Sequence, residues 1–161
     1  MISRGEALSW VSSLHPGACC VIGNAIARDM FETADDPRNL YLVHGMGQTL
    51  AVAIGLSMAQ PDRDIVAVEG DGSAVMGSAM WSILHRFPRV YYYVLVNGVY
   101  ETTGGQPIVL PEYEPENVLT VNIARGKISR PKDTAPRAIE TDLGFLCPLR
   151  IGARFEKWLE Q

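Results

Sequence analysis

The sequence predicts an α/β fold: a doubly wound, mostly parallel sheet with helices on both faces. Three observations predict it. Two continuous apolar runs, Ile65-Val66-Ala67-Val68 and Tyr91-Tyr92-Tyr93-Val94-Leu95-Val96, suit strands buried on both faces, as in a parallel sheet under helices. Helical patterns alternate with such runs, the order expected of βαβ units. Glycine-bearing loops follow the runs, at the strand ends where ligands of such sheets collect.

The elements are justified in chain order. Ser3 to Ser13 reads as a short amphipathic helix, with Ala7, Leu8, Val11 and the following Leu14 on one side. His15-Pro16-Gly17 breaks it. Ala18 to Ile22 forms a strand, Gly23-Asn24 a turn, and Ala25 to Thr33 a helix. Asp35-Asp36-Pro37-Arg38-Asn39 is a polar loop before a second strand, Leu40 to Val43. Gln48 to Ala59 forms a helix with small residues suited to close packing. Pro61-Asp62-Arg63-Asp64 turns the chain into the third strand, Ile65 to Val68. Met76 to His85 forms the next helix, closed by Pro88, before the fourth strand, Tyr91 to Val96. After Pro107 the pattern weakens. Val118 to Ile123 is a candidate strand, and Arg125 to Pro136 a basic, proline-bearing loop. Arg150 to Gln161 ends the chain as a helix with Phe155, Trp158 and Leu159 on one face. It closes the domain or meets a partner. All 161 residues are expected to form one domain.

Composition narrows the function classes. A hydrophobic content of 47% with 20% charged residues fits a globular protein. A net charge of −4 supplies no basic field for nucleic acid. The apolar stretches are too short and too interrupted to span a bilayer, and the first residues lack the apolar core of a signal peptide. Cys19, Cys20 and Cys147 are an odd number with two adjacent, which argues against a disulfide framework. Reduced, buried thiols in the cytoplasm are expected. His15 and His85 carry no metal or catalytic spacing, and the Tyr91-Tyr92-Tyr93 run reads as core or interface.

The chemistry concentrates in Glu69-Gly70-Asp71-Gly72-Ser73 and, beyond the next helix and strand, Val96-Asn97-Gly98-Val99-Tyr100. Neighbouring parallel strands joined by a crossover helix put their carboxyl ends side by side. Asp71 and Asn97 then present two hard oxygen ligands at one edge. Gly70 and Gly72 let the backbone approach a phosphate. Mg²⁺ favours few protein oxygens plus phosphate oxygens, so the pair suggests a Mg²⁺-diphosphate site. Each residue alone has an ordinary explanation. An aspartate after glycine and an Asn-Gly step are common turn signals, and Ser73 could be a simple N-cap or lend its backbone N–H to phosphate.

Gly-Asp-Gly, a helix, a strand and then Asn-Gly resembles the diphosphate-binding half of thiamine diphosphate enzymes. Tyr41-Leu42-Val43-His44-Gly45-Met46-Gly47-Gln48, followed by Ala53-Ile54-Gly55-Leu56, is similar to that family's cofactor-bending loop and next helix. Asn97-Gly98-Val99-Tyr100 running into Thr102-Thr103-Gly104-Gly105-Gln106-Pro107 resembles the sulfopyruvate and phosphonopyruvate decarboxylase branch. The likeness covers Cys19 to Arg130, four segments in family order.

The resemblance implies a thiamine diphosphate-binding fold, with thiamine diphosphate and Mg²⁺ as cofactors. It makes Asp71, Asn97 and the main-chain oxygen of Val99 the metal ligands. It places the Met46 side chain beneath the bend of the cofactor, and the main-chain oxygen of His44 against the cofactor's amino group. Met46 between glycines could also be core filling. The His44 side chain departs from the branch and reads as lining a subunit boundary. Asn24 matches a diphosphate contact, or is a turn residue. Arg28, one helical turn on, reads as a solvated face. Tyr100, Thr103 and Gln106 are the implied substrate contacts. Glu69 and Val96 depart from the usual residues, and Glu69 could support the metal from behind.

The family also needs a glutamate on a pyrimidine-binding domain, and the motifs here belong to the diphosphate half. The resemblance therefore implies a separate alpha subunit, a heterotetramer or larger, and a small 2-oxo acid as substrate. The implied activity is non-oxidative decarboxylation. A carboligase or transketolase-like subunit, and a non-catalytic cofactor-binding partner, are the alternatives.

Overall fold

A computed structural model describes residues 1–112, 117–126 and 148–160. The loop expected from Arg125 to Pro136 lies outside the described residues from position 127 on, as do Cys147 and the side chain of Arg28.

Helix α1 (Arg4–Leu14) opens the chain. Ser3 is its N-cap: the serine hydroxyl accepts from the Glu6 N–H, and the Glu6 carboxylate accepts from the Ser3 N–H at 2.7 Å. This reciprocal pair satisfies two otherwise unpaired donors. Ala7, Leu8 and Val11 face inward, as their spacing predicts. Then come β1 (Cys19–Ile22), a 3₁₀ turn over Asn24–Ile26, α2 (Ala27–Ala34) and β2 (Asn39–Tyr41). Next follow α3 (Thr49–Ala59), β3 (Ile65–Gly70), α4 (Asp71–Met76), a second 3₁₀ turn over Ser78–Met80 and α5 (Trp81–Leu84). Strands β4 (Val90–Val96) and β5 (Val118–Asn122) and helix α6 (Pro148–Leu159) complete the order.

The five strands form one sheet, ordered β2-β1-β3-β4-β5. Every pairing is parallel. The expected doubly wound sheet is therefore found, and it is wholly parallel among the described residues. Its two faces are separate cores. On one, α1 and α2 press Leu8, Val11, Ile26 and Met30 onto Val66, Val68, Tyr93 and Leu95. On the other, α3, α4 and α5 bring Leu50, Ile54, Ala74, Trp81 and Leu84 against Val21, Ile65, Ala67, Tyr92 and Val94. Alternate residues of β3 and β4 serve opposite faces, which is why these strands read as unbroken apolar runs.

The boundary that departs furthest from the sequence reading is that of the helix after β3. The helix expected from Met76 to His85 starts at Asp71 and is interrupted, because the chain bends at Gly77. A Cβ on Gly77 would lie 2.4 Å from the carbonyl oxygen of Gly47, so a distant loop decides where the helix breaks. The last helix does what one reading of its face allowed. Ile151 and Phe155 are buried on the two sides of the sheet, and α6 closes the β2 edge. Arg154 makes a two-pronged bond to Asp35 at 2.9 and 3.0 Å, and Arg63 stacks 4.6 Å from the Trp158 ring centroid.

Cys19 and Cys20 are free and buried in β1, as expected. Burial pushes their thiols up to about 11 and about 12. The thiolate is the reactive form, so only about one in a thousand of these thiols or fewer is reactive at pH 8. A Cys147→Ser variant should take up no iodoacetamide until denaturant unfolds it, as followed by mass spectrometry.

Candidate functional site

The chain passes from β1 outward to β2 and returns beyond β1 to β3. The strand order therefore reverses between β1 and β3, and ligands of open parallel sheets bind at the carboxyl ends flanking such a point. The loops after β1, β2, β3 and β4 carry the four motifs read from the sequence.

The register of β3 with β4 pairs Glu69 with Val94 and Gly70 with Leu95. Asp71 and Asn97 consequently emerge side by side. Asp71 is 3% exposed. Its Oδ2 accepts from the main-chain N–H of Asn97 at 3.0 Å and of Gly98 at 2.7 Å. Among the described residues, its Oδ1 accepts only from the neighbouring Gly72 N–H, at 2.9 Å. A buried carboxylate needs such donors, and these tie the end of β3 to the loop after β4. The Asn97 side-chain oxygen accepts from the Val99 N–H at 2.9 Å, which folds that loop back on itself. The main-chain oxygen of Val99 receives no hydrogen bond from the described residues.

Ser73 is not an N-cap. Gly70 holds that position on α4, and the Ser73 hydroxyl has another task. It accepts from the Gly47 N–H at 2.9 Å and donates to Oε2 of Glu69. Glu69 is fully buried, and its Oε1 accepts from the Tyr92 hydroxyl at 2.6 Å. Burial raises the Glu69 carboxyl above its usual range, against the lowering by the Ser73 and Tyr92 hydroxyls. The Thr49 hydroxyl faces the same group without closing a hydrogen bond of ordinary geometry. Glu69 thus fastens the Gly45-Met46-Gly47 loop to the start of α4.

That loop is a tight turn, with Gln48 N–H bonded to the Gly45 oxygen at 3.0 Å and Gly47 at φ +79°. Only glycine takes this backbone freely. Met46 stands at the crest, 38% exposed, and lines a cavity of about 60 Å³ with Gly70, Asp71, Gly72, Ser73, Asn97 and Val99. Tyr100 covers Gly72: a Cβ there would lie 2.6 Å from the tyrosine ring.

Other expected residues are placed differently. Asn24 opens the 3₁₀ turn after β1, half-buried beside the cavity rather than in its lining. His44 is exposed. Thr103 and Gln106 bond to one another at the exposed tip of the Asn97–Ile108 loop, with Gln106 Nε2 donating to the Thr103 oxygen at 2.9 Å. The sequence reading missed Arg4 and Glu101, which line the same cavity. They are paired across 97 positions, and no local pattern signals that contact. Among the described residues no three of His, Cys, Asp and Glu cluster to hold a metal. A site built on Asp71, an amide and a carbonyl needs no such cluster.

This geometry suits a divalent cation that carries a diphosphate, bound by few protein oxygens. Comparison with known proteins agrees in kind. A model described as "Thiamine pyrophosphate enzyme, C-terminal TPP binding domain" matches residues 23–138, and the chain belongs to that family. It is 32% identical over 108 residues to phosphonopyruvate decarboxylase of Streptomyces hygroscopicus, covering 65% of this chain and 27% of that one. It is 32% identical over 117 residues to 2-oxoglutarate synthase subunit KorB of Archaeoglobus fulgidus, covering 71% and 42%. It is 30% identical over 110 residues to sulfopyruvate decarboxylase subunit beta of Methanothermobacter thermautotrophicus, covering 66% and 58%. The chain spans less than two thirds of each of these relatives.

The residues present fit the family's cofactor. Asp71 Oδ1 and the Val99 carbonyl have capacity for a cation, and the apolar crest of Met46 borders the same cavity.

Two substitutions test the framework. Ser73→Ala removes a donor from buried Glu69 and an acceptor from Gly47, and should cost about 1–3 kcal/mol. Gly77→Ala forces a Cβ onto the Gly47 carbonyl and should cost about 1–3 kcal/mol. Urea unfolding monitored by circular dichroism checks both.

Proposed function

We propose that this chain is the diphosphate-binding, beta-type subunit of a thiamine diphosphate- and Mg²⁺-dependent 2-oxo acid decarboxylase of the sulfopyruvate or phosphonopyruvate type. A pyrimidine-binding alpha subunit completes the active site with the activating glutamate, in a heterotetramer or larger assembly. The observation that carries the reading is the Asp71 carboxylate bound to the N–H groups of Asn97 and Gly98. That bond holds Asp71 and Asn97 at adjoining strand ends, which supports reading both as oxygen ligands. The relatives named phosphonopyruvate decarboxylase and sulfopyruvate decarboxylase subunit beta support the substrate class and the divided assembly.

Bound thiamine diphosphate supplies the electron sink for cleaving the bond between a keto carbon and its carboxylate. The chain's residues bind and orient. Asp71, Asn97 and the main-chain oxygen of Val99 hold Mg²⁺. Gly70, Gly72 and the backbone N–H of Ser73 admit the diphosphate, with Asn24 beside it. Met46, raised between Gly45 and Gly47, would support the bend, and the His44 main-chain oxygen would accept a hydrogen bond from the cofactor's amino group. Tyr100, Thr103 and Gln106, on the loop that follows Asn97, contribute to the substrate side.

The likeness to subunit KorB covers more of this chain, 71%, at equal identity, and favours a second reading as a subunit of a 2-oxo acid synthase. Product separates the two. Free aldehyde formed without an added electron acceptor supports the decarboxylase, whereas turnover only with such an acceptor supports the synthase.

In the assembly purified with its partner, Asp71→Asn should weaken Mg²⁺-dependent thiamine diphosphate binding by at least about tenfold in calorimetric titration. Unchanged affinity would contradict the assigned metal site. The chain purified alone should show no decarboxylation of sulfopyruvate or phosphonopyruvate, and full turnover by it would refute the need for a partner.

A further inference from the structure

The start of the chain lies at the site, where Arg4 lines the same cavity as Asp71. Ile2 pairs with Ile123 just beyond β5, and its oxygen accepts from the Ala124 N–H at 2.8 Å. The Ser3–Glu6 capping box then fixes the first turn of α1. Arg4, the first residue of that helix, extends its guanidinium to Asp29 of α2 at 2.8 Å and to Glu101. The second oxygen of Glu101 accepts from the Gly126 N–H. Glu101 is thereby held from two sides, with its side chain only 10% exposed.

Glu101 lies two residues beyond Val99, on the loop that begins at Asn97. The loop is closed on itself by Tyr100 N–H to the Gln106 oxygen and Ile108 N–H to the Gly98 oxygen, both 2.9 Å. It leaves β4 through Gly98 at φ +75°, a backbone state that glycine adopts without strain. A small closed loop on such a joint needs a second anchor to hold its orientation. Asp71 is the inner anchor, on the β3 side. Burial disfavours the Arg4 cation, but the carboxylates of Asp29 and Glu101 outweigh it. Part-buried, multiply bonded pairs of this kind hold geometry better than exposed ones.

We propose that Arg4 and Glu101 form a positioning pair for the cation loop, the outer anchor that keeps Asn97, Val99 and Tyr100 facing Asp71. This rests on the reading of Asp71, Asn97 and Val99 as the Mg²⁺ ligands. The pair acts through the loop rather than as ligands of the cation. Losing it therefore leaves every ligand present and raises the metal concentration needed to organise them.

The test uses the assembly as purified, with thiamine diphosphate and Mn²⁺ as the probe, and free Mn²⁺ counted by electron paramagnetic resonance. Glu101→Gln and Arg4→Ala should each raise Mn²⁺ half-saturation about tenfold, with a smaller change in kcat at saturating metal. The double variant should be no worse than either single one, as expected for partners in one interaction. Arg4→Lys, which keeps the charge, should recover part of the loss and covers the case in which Arg4→Ala does not fold. Asp71→Asn serves as the reference. If it abolishes Mn²⁺ binding while Glu101→Gln and Arg4→Lys lower only the melting temperature, the positioning role is overturned and the cation site stands. If Asp71→Asn binds Mn²⁺ normally, the cation reading itself fails and the pair's role falls with it.

Discussion

The carboxylate of Asp71 joins the end of β3 to the loop after β4. It sits at the first turn of α4, buried, and its Oδ2 accepts two main-chain N–H groups from the loop after β4. An uncompensated buried carboxylate costs several kcal/mol, so the Asn97–Gly98 backbone is drawn to it rather than free to sample other positions. Because β3 and β4 are parallel and in register, this bond also holds the loop that carries Asn97 and Val99 beside Asp71. The rest of the site is arranged around that contact. Tyr100 lies over Gly72, and Glu101 carries the loop out to Arg4.

A second carboxylate does comparable work one layer down. Glu69 continues the β3 face that looks toward α3 and α4, where an apolar side chain would be the simpler choice. Its partners Ser73 and Tyr92 satisfy it, and through Ser73 it fixes Gly47 and hence the height of Met46 above the sheet. A buried polar network of this kind favours one arrangement. Here it links the loop after β2 to the helix after β3, although the strands themselves are separated by β1.

The strands were legible because burial on both faces leaves an unambiguous apolar run, as in Val90–Val96. The end of β3 and the start of α4 were not. Glu69 and Asp71 look like loop residues, and their burial depends on donors contributed from elsewhere. The break at Gly77 was hidden for the same reason, since its cause is the carbonyl of Gly47. Within the site, Asp71, Asn97 and Met46 were readable because glycines mark each of their loops. Arg4 and Glu101 were not, because an ion pair between an N-terminal helix and a distant loop leaves no periodic trace. Thr103 and Gln106 were read from their position after Asn97, and the glycines between them turn the segment so that the Gln106 side chain donates to the Thr103 main-chain oxygen.

The central claim is that Asp71, Asn97 and Val99 form one cation site. Anomalous X-ray scattering from crystals grown with Mn²⁺ and thiamine diphosphate measures this directly. A single strong peak within about 2.0–2.3 Å of Asp71 Oδ1, the Asn97 side-chain oxygen and the Val99 carbonyl is the expected result. A peak elsewhere, with these three oxygens uncoordinated and cofactor bound, would contradict it.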